Sequence, residues 1–166
     1  MNVKVSTFVT NLTIVQNAFL RDGLRRCIGE DPGCSAIVSL KKECVGKEWE
    51  LYLEEQLRRR DICFETESDL TRKGKAKTPD ILLLIPMAIV ISETYHVVNW
   101  IDSKGLFADV ETFEEHDQQL KGYVNRYGSG VVIYWYGYVS DPVFCSNESI
   151  AVVDTFPDLW TSISSR

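Results

Sequence analysis

Histidine is scarce: His96 and His116 are the only two in 166 residues. A zinc centre would therefore have to be rich in thiolates. Cys27, Cys34, Cys44, Cys63 and Cys145 form no CxxC pair, so their spacing gives such a centre no support. An odd and sparse set also argues against a secreted disulfide framework and for reduced intracellular thiols. Long apolar runs are missing too. The longest, Ile81 to Ile91, is about half a membrane span and contains Pro86, so it reads as buried strand. No compact apolar run stands before a small-residue cleavage site near the N-terminus. Neither a membrane span nor a targeting segment is expected. Positive charge is in deficit: 18 Lys and Arg face 24 Asp and Glu, a net charge of −6. That balance excludes a general nucleic-acid coat and a membrane-surface binder.

What is present suits one globular domain. Apolar residues make up 45% and charged residues 25%, too apolar for a disordered chain. Residues 1–19 form an unassigned N-terminal segment, and 20–166 are expected to be the domain. The charge is uneven. Residues 1–83 hold 14 basic and 13 acidic side chains, whereas 84–166 hold 4 and 11. Arg58, Arg59, Arg60, Arg72, Lys73, Lys75 and Lys77 are seven cations in twenty positions, diluted by Asp61, Glu65, Glu67 and Asp69. This window reads either as a solvated helix end and loop or as a local phosphate-contact patch.

Periodicity predicts the elements. Residues 15–28 have a helical rhythm through Val15, Phe19, Leu20, Leu24 and Ile28. Asp31-Pro32-Gly33 is turn chemistry. A longer helix over 35–60 follows, with a break allowed near Gly46, and Arg58 to Arg60 suit its negative C-terminus. Residues 62–65 read as a short strand and 68–77 as a polar loop or short helix. The apolar runs 80–85 and 87–91 read as strand interrupted at Pro86. Residues 95–104 form the next strand, with Val97, Asn99, Ile101 and Ser103 on one face. Val98, Trp100, Asp102 and Lys104 share the other. A helix over 111–127 stops at Gly128-Ser129-Gly130. Strands are expected over 131–138 and 150–153, and a short helix from Phe156-Pro157. This mixed order predicts an α/β domain with helices packed on a central mixed β-sheet.

The chemistry lies in two of these strands. Pro79-Asp80 opens one, directly after the basic loop. Asp102 and Lys104 share a face of the next, with Ser103 between them. Buried charges are costly unless paired or bound. Two carboxylates meeting in space can hold a hard divalent cation, a backbone carbonyl and waters completing the shell. With a nearby lysine, this is equipment for Mg²⁺-assisted phosphodiester hydrolysis.

Pro79-Asp80 followed by Asp102-Ser103-Lys104 resembles the PD-(D/E)XK motif of restriction-endonuclease-like nucleases. The helix carrying Gly46-Lys47-Glu48-Trp49-Glu50 resembles the glutamate helix of the Holliday-junction-resolvase branch, which points to Glu50, with Glu48 as the alternative. The strings KTPDILLLIPMA, NWIDSKG and NRYGSGVVIYWYGY, together with Gly46–Glu50, resemble the codanin-1-interacting nuclease family over roughly residues 20–160. The resemblance implies a restriction-endonuclease-like α-β-β-β-α-β core and a DNA nuclease dependent on Mg²⁺ or Mn²⁺. It also implies a nuclear and cytoplasmic location and a codanin-1-like protein partner. Branched or flapped DNA are the candidate substrates, and a resolvase-type double cut would require a homodimer. A catalytically silent nuclease-fold module that binds codanin-1 is the rival reading.

Two departures stand out. Members of that family carry a helical region ahead of the nuclease domain, for which little room is expected before residue 20. They also commonly carry Glu where this chain has Asp102. By the resemblance, Asp80 and Asp102 are metal ligands, the Ser103 carbonyl a further one, and Glu50 a holder of metal-bound water. Lys104 then orients the attacking water or stabilises the scissile phosphate. Each has a plainer reading: a strand-start aspartate, an Asp102–Lys104 ion pair, an exposed helix glutamate. Arg72, Lys73, Lys75, Lys77, Gln119 and Arg126 are the candidate DNA contacts, with Asn125 beside them. Tyr134, Trp135 and Tyr136 could stack on bases or pack in the core.

Overall fold

The computed structural model describes residues 12–30, 36–91, 93–139, 148–157 and 160–162. The side chains of residues 28, 29, 36, 37 and 160–162 lie outside that description, as do the expected turn at Asp31-Pro32-Gly33 and two cysteines, Cys34 and Cys145. Two compact units divide the chain, residues 1–45 and 46–166. In the first, a 3₁₀ turn Leu12–Ile14 precedes helix α1, Ala18–Glu30. The Asn17 side chain accepts from the N–H groups of Phe19 and Leu20, a local cap that starts α1.

Helix α2, Ala36–Arg58, runs through Gly46 without a break. Its second half packs Leu53 and Leu57 fully into the core of the second unit. Each such leucine stabilises the fold by about 1.5–3 kcal/mol. Strand β1, Phe64–Thr66, leads into helix α3, Glu67–Arg72, through a capping box. Asp69 N–H donates to the Thr66 hydroxyl oxygen, and Thr66 N–H donates to the Asp69 carboxylate. Strands β2, Ile81–Ile91, and β3, Thr94–Lys104, form a long antiparallel pair. Helix α4, Val110–Tyr127, starts on the Asp109 cap and ends at Gly128, whose φ of 84° is left-handed. Strands β4, Gly130–Tyr134, β5, Ile150–Val153, and β6, Trp160–Ser162, follow.

Among the described residues, six strands form one mixed sheet in the order β1-β2-β3-β4-β5, with β6 also paired to β2. β3, β4 and β5 run parallel, and the other pairs are antiparallel. One core holds Leu53, Leu57, Ile89, Ile101, Val131 and Ile133. A second holds Trp100, Phe113, Leu120, Tyr123, Val132 and Tyr134 beneath α4. The expected α/β class and mixed sheet are therefore found. No helix among the described residues is long and apolar enough to cross a membrane.

Four details differ from expectation. The run around Pro86 is one strand, in which the register jumps between Leu82 and Met87. Residues 83–86 face only Asn99 across that gap, a bulge that accommodates a proline without N–H. The same irregularity moves Val98 off the face it was expected to share with Trp100: it packs with Ile101 instead. β4 stops at Tyr134 rather than at 138. Trp135 N–H still donates to Lys104 O, but Gly137 N–H donates back to Tyr134 O, and this turn, with a φ of 89° at Gly137, takes Tyr136 out of the ladder. Finally, residues 154–157 are irregular and 160–162 are strand, where a helix from Phe156-Pro157 was expected.

Candidate active site

Asp80 and Asp102 are far apart in sequence but neighbours through strand register. The ladder pairs Ile81 with Ile101. One step further along an antiparallel pair, Asp80 comes opposite Asp102, on the same face. Ser103 N–H donates to Asp80 Oδ2 at 2.7 Å and fixes that carboxylate. Asp102 is 1% exposed. Its Oδ2 lies 2.7 Å from Lys104 Nζ, two residues along the same face. Asp102 Oδ2 is buried, and the Lys104 ammonium is its close polar partner. Burial, then repulsion from Asp102, holds the Asp80 carboxyl well above the usual carboxylate range. Burial pulls the Lys104 ammonium down, but Asp102, Asp80 and Glu50 outweigh it and its pKa rises.

Glu50 reaches the same place from α2. It stands three and seven residues before Leu53 and Leu57, on the helix stripe that faces the core. Glu48 is exposed and off that stripe. Lys47 Nζ pairs with Glu50 Oε2 at 2.7 Å. From α4, Gln119 Oε1 accepts from Lys104 Nζ at 3.3 Å, while Gln119 Nε2 donates to the Tyr123 hydroxyl at 2.7 Å. The Lys104 ammonium, a donor only, fixes the amide with its oxygen toward Lys104, and the Tyr123 hydroxyl accepts from the remaining NH₂.

These groups line a cleft of about 630 Å³, bounded by Glu50, Lys77, Asp80, Asp102, Lys104 and Gln119 among others. Ser103 lines it as well, although its hydroxyl points elsewhere and accepts from Trp135 Nε1 at 2.8 Å. Asp80, Asp102, Ser103, Lys104, Glu50, Lys77 and Gln119 thus meet in one place. The other candidate DNA contacts do not line the cleft. Arg72 pairs with Asp69 at 3.4 Å, and Lys73 pairs with Glu65. Lys75 sits 5.9 Å from the centre of the Tyr127 ring, and Arg126 donates to the carbonyl of Ala76. Arg58 and Arg59 pair with Glu54 and Glu55 one turn back on α2.

Sequence reasoning passed over Glu67, Thr78, Glu115, Gln118 and Tyr123, which also line the cleft. The Thr66–Asp69 capping box could have placed Glu67 in the first turn of α3, and Tyr123 is one turn after Gln119. Among the described residues, no three His, Cys, Asp or Glu side chains are grouped as a metal centre. A cation here would rest on two carboxylates supplemented by carbonyl and water, a common arrangement for Mg²⁺.

Residues 16–156 match the model of the family described as a protein of unknown function with a TPD sequence motif. The chain belongs to the TPD sequence-motif family. Its own Thr78-Pro79-Asp80 stands at the head of β2. Relatives of the chain include proteins named CDAN1-interacting nuclease 1. The Xenopus laevis protein is 33% identical over 164 residues, 97% of this chain and 52% of the relative. The Danio rerio protein is 36% identical over 154 residues, 92% of this chain and 49% of the relative. The Homo sapiens protein is 32% identical over 146 residues, 87% of this chain and 50% of the relative. The chain therefore spans about half the length of these curated relatives, and the resemblance carried by the four sequence blocks holds. No solved structure matches it.

Proposed function

We propose that this TPD-family chain is a divalent-metal-dependent nuclease of PD-(D/E)XK type that hydrolyses DNA phosphodiester bonds. The observation that carries the reading is the convergence of Asp80 and Asp102 across the β2–β3 ladder, in one cleft with Lys104 and Glu50. The order α2-β1-β2-β3-α4-β4, apart from the single-turn-scale α3, supports an α-β-β-β-α-β core. So does the word nuclease in the relatives' names.

The donor set suits a hard cation. Asp102 is buried with a cationic neighbour, Lys104, and Asp80 faces Asp102 as a second carboxylate, an excess of negative charge that a cation would offset. Asp80, Asp102 and the Ser103 carbonyl would hold Mg²⁺ or Mn²⁺, with Glu50 acting through water. When bound, the cation supplies charge neutralisation and Lewis-acid polarisation of the scissile phosphate. The remaining work belongs to side chains. Ser103 N–H orients Asp80. Lys104, steadied by Asp102 and Gln119, presents an ammonium to the phosphoryl oxygens or to the attacking water. Glu50 accepts a hydrogen bond from the nucleophilic water, and Lys77 at the rim contacts a flanking phosphate.

The test is purified chain with Mg²⁺ or Mn²⁺ and labelled linear, flap and four-way DNA. Cutting by the wild-type chain, lost in Asp102→Asn and Lys104→Ala, supports the reading. No cutting of any substrate, or cutting that survives both substitutions, overturns it. A second reading is a silent nuclease-fold module acting as a codanin-1 partner in nucleus and cytoplasm. It is favoured by the ion pairs Lys104–Asp102 and Lys47–Glu50, which occupy the carboxylates with the chain's own cations. That reading predicts a stable codanin-1 complex with neither cleavage nor thermal stabilisation by Mn²⁺. Light scattering decides whether the homodimer needed for a symmetric double cut forms.

A further inference from the structure

Four aromatic residues meet where the C-terminal end of β4 passes α2. Trp49 and Trp135 stack face to face, with centroids 4.5 Å apart and planes 11° apart. Tyr52 stands edge-on to both rings, at 5.7 and 5.4 Å. Tyr136 stands edge-on to Trp49 at 6.0 Å. Core packing accounts for only part of this cluster. Trp135 leans on the core around Leu53 and Ile133, but Tyr136 is 56% exposed and Tyr52 45%.

The exposed ring is held in place. Tyr136 lies on the tight turn closed by Gly137, and its hydroxyl accepts from Trp49 Nε1 at 3.4 Å. The cluster also adjoins the cleft. Trp135 Nε1 donates to Ser103 Oγ at 2.8 Å, and Ser103 lies between the cleft residues Asp102 and Lys104. Trp49 is bonded to Glu50, which also lines the cleft. A rigid exposed ring loses little conformational freedom when another ring stacks on it. Among the described residues, the cation–ring contacts fall on Phe64, Phe156 and Tyr127 rather than on these four rings, so the cluster offers π faces.

We propose that this cluster, with Tyr136 as its exposed ring, is a stacking site for an unpaired nucleobase of the strand whose phosphate occupies the cleft. The proposal rests on the nuclease reading of that cleft. It supplies what the chain otherwise lacks: with most of the basic window engaged internally, base stacking gives sequence-tolerant affinity that does not depend on net charge. It also assigns a substrate class, DNA with single-stranded character beside the cut, in preference to continuous duplex.

The test is fluorescence anisotropy of a labelled short oligothymidylate, and of a blunt duplex, against the full chain in Ca²⁺. Tyr136→Ala is expected to weaken oligothymidylate binding about tenfold, the scale of one lost base–aromatic stack. Tyr136→Leu, which keeps apolar bulk without a π face, should weaken it similarly, and Tyr136→Phe should stay within about twofold of wild type. Duplex binding should not change. Wild-type affinity in Tyr136→Ala and Tyr136→Leu overturns the proposal, as does equal loss on both DNAs or no binding of oligothymidylate by the wild-type chain. A cluster that instead docks a protein gives the first of those results. The nuclease reading fails separately, if the wild-type chain cuts nothing while the Tyr136 binding split persists.

Discussion

Gly130→Ala should be among the most damaging single-methyl additions in this fold. A Cβ at Gly130 would sit 2.2 Å from both Trp100 Cδ2 and Cε2, and 2.7 Å from Nε1. Carbon pairs are comfortable at about 3.5–4.0 Å, so the ring or the strand must move by more than about 1 Å. Neither can do so freely. Trp100 is fully buried, its Nε1 donates to Gly128 O at 2.7 Å, and Tyr123 abuts its ring edge at 5.3 Å. Overpacking costs about 1–3 kcal/mol, and an indole N–H torn from its acceptor adds about 1–3. The expected destabilisation is about 3–5 kcal/mol, a fall in Tm of roughly 10–20 °C for a unit of this size. Activity should suffer as well, because Trp100–Gly130 opens the parallel ladder that ends at Lys104–Tyr134. Thermal melting by circular dichroism is the assay. Gly122→Ala is the control: its new methyl meets only the Lys77 chain, at 3.5 Å. Helix propensity favours that change by about 0.5–1 kcal/mol. A Gly130→Ala chain melting within about 2 °C of wild type would refute the packing argument.

Further outcomes follow from the cleft and the caps. Asp80→Asn keeps an oxygen for the Ser103 N–H but removes a charge facing Asp102, so the metal-free chain should gain about 1–2 kcal/mol in a denaturant melt. The sign follows from a carboxyl whose folded pKa is raised: its penalty is absent below the unfolded value and grows as pH rises through the folded one. The gain should therefore vanish in acid, and a loss of stability at neutral pH would contradict the argument. Lys77→Ala should weaken DNA binding and lower the salt slope by about one, read from titrations at several salt concentrations. Unchanged slope would place Lys77 off the DNA path. Asp69, held below the usual carboxylate range by the Thr66 hydroxyl and N–H, contributes stability above the ordinary carboxylate value, lost as pH falls through its lowered one. Asp69→Asn should flatten that acid limb of a pH-dependent melt, and an unaltered limb would count against the capping box.

Where one local pattern dictated structure, sequence reasoning reached it. The continuous apolar run after Asp80 and the alternation before Lys104 mark two successive strands, and their antiparallel pairing brings the two aspartates together. The Gly128-Ser129-Gly130 stop was legible because a left-handed Gly128 ends α4. Failures came where tertiary context decides. Trp135 and Tyr136 have strand propensity, but the turn closed by Gly137 N–H on Tyr134 O ends β4 before them, and both rings meet Trp49 of α2. Val98 obeyed alternation on paper, yet a bulge spanning Leu82 to Met87 on the neighbouring strand broke the phase. The basic window was open to two readings because one-dimensional charge counts ignore partners one turn away. Arg58 and Arg59 are paired that way along α2, and Lys77 alone of the seven cations lines the cleft.

The proposed function of Asp80 and Asp102 is a metal site for DNA cleavage. Its most direct test is cleavage of labelled flap DNA by purified chain in Mn²⁺, beside Asp102→Asn at equal concentration and matched folding. Mn²⁺-dependent product is expected from the wild-type chain, with a loss of at least about a hundredfold in the variant. Product that forms equally in the variant, or in EDTA, would contradict it.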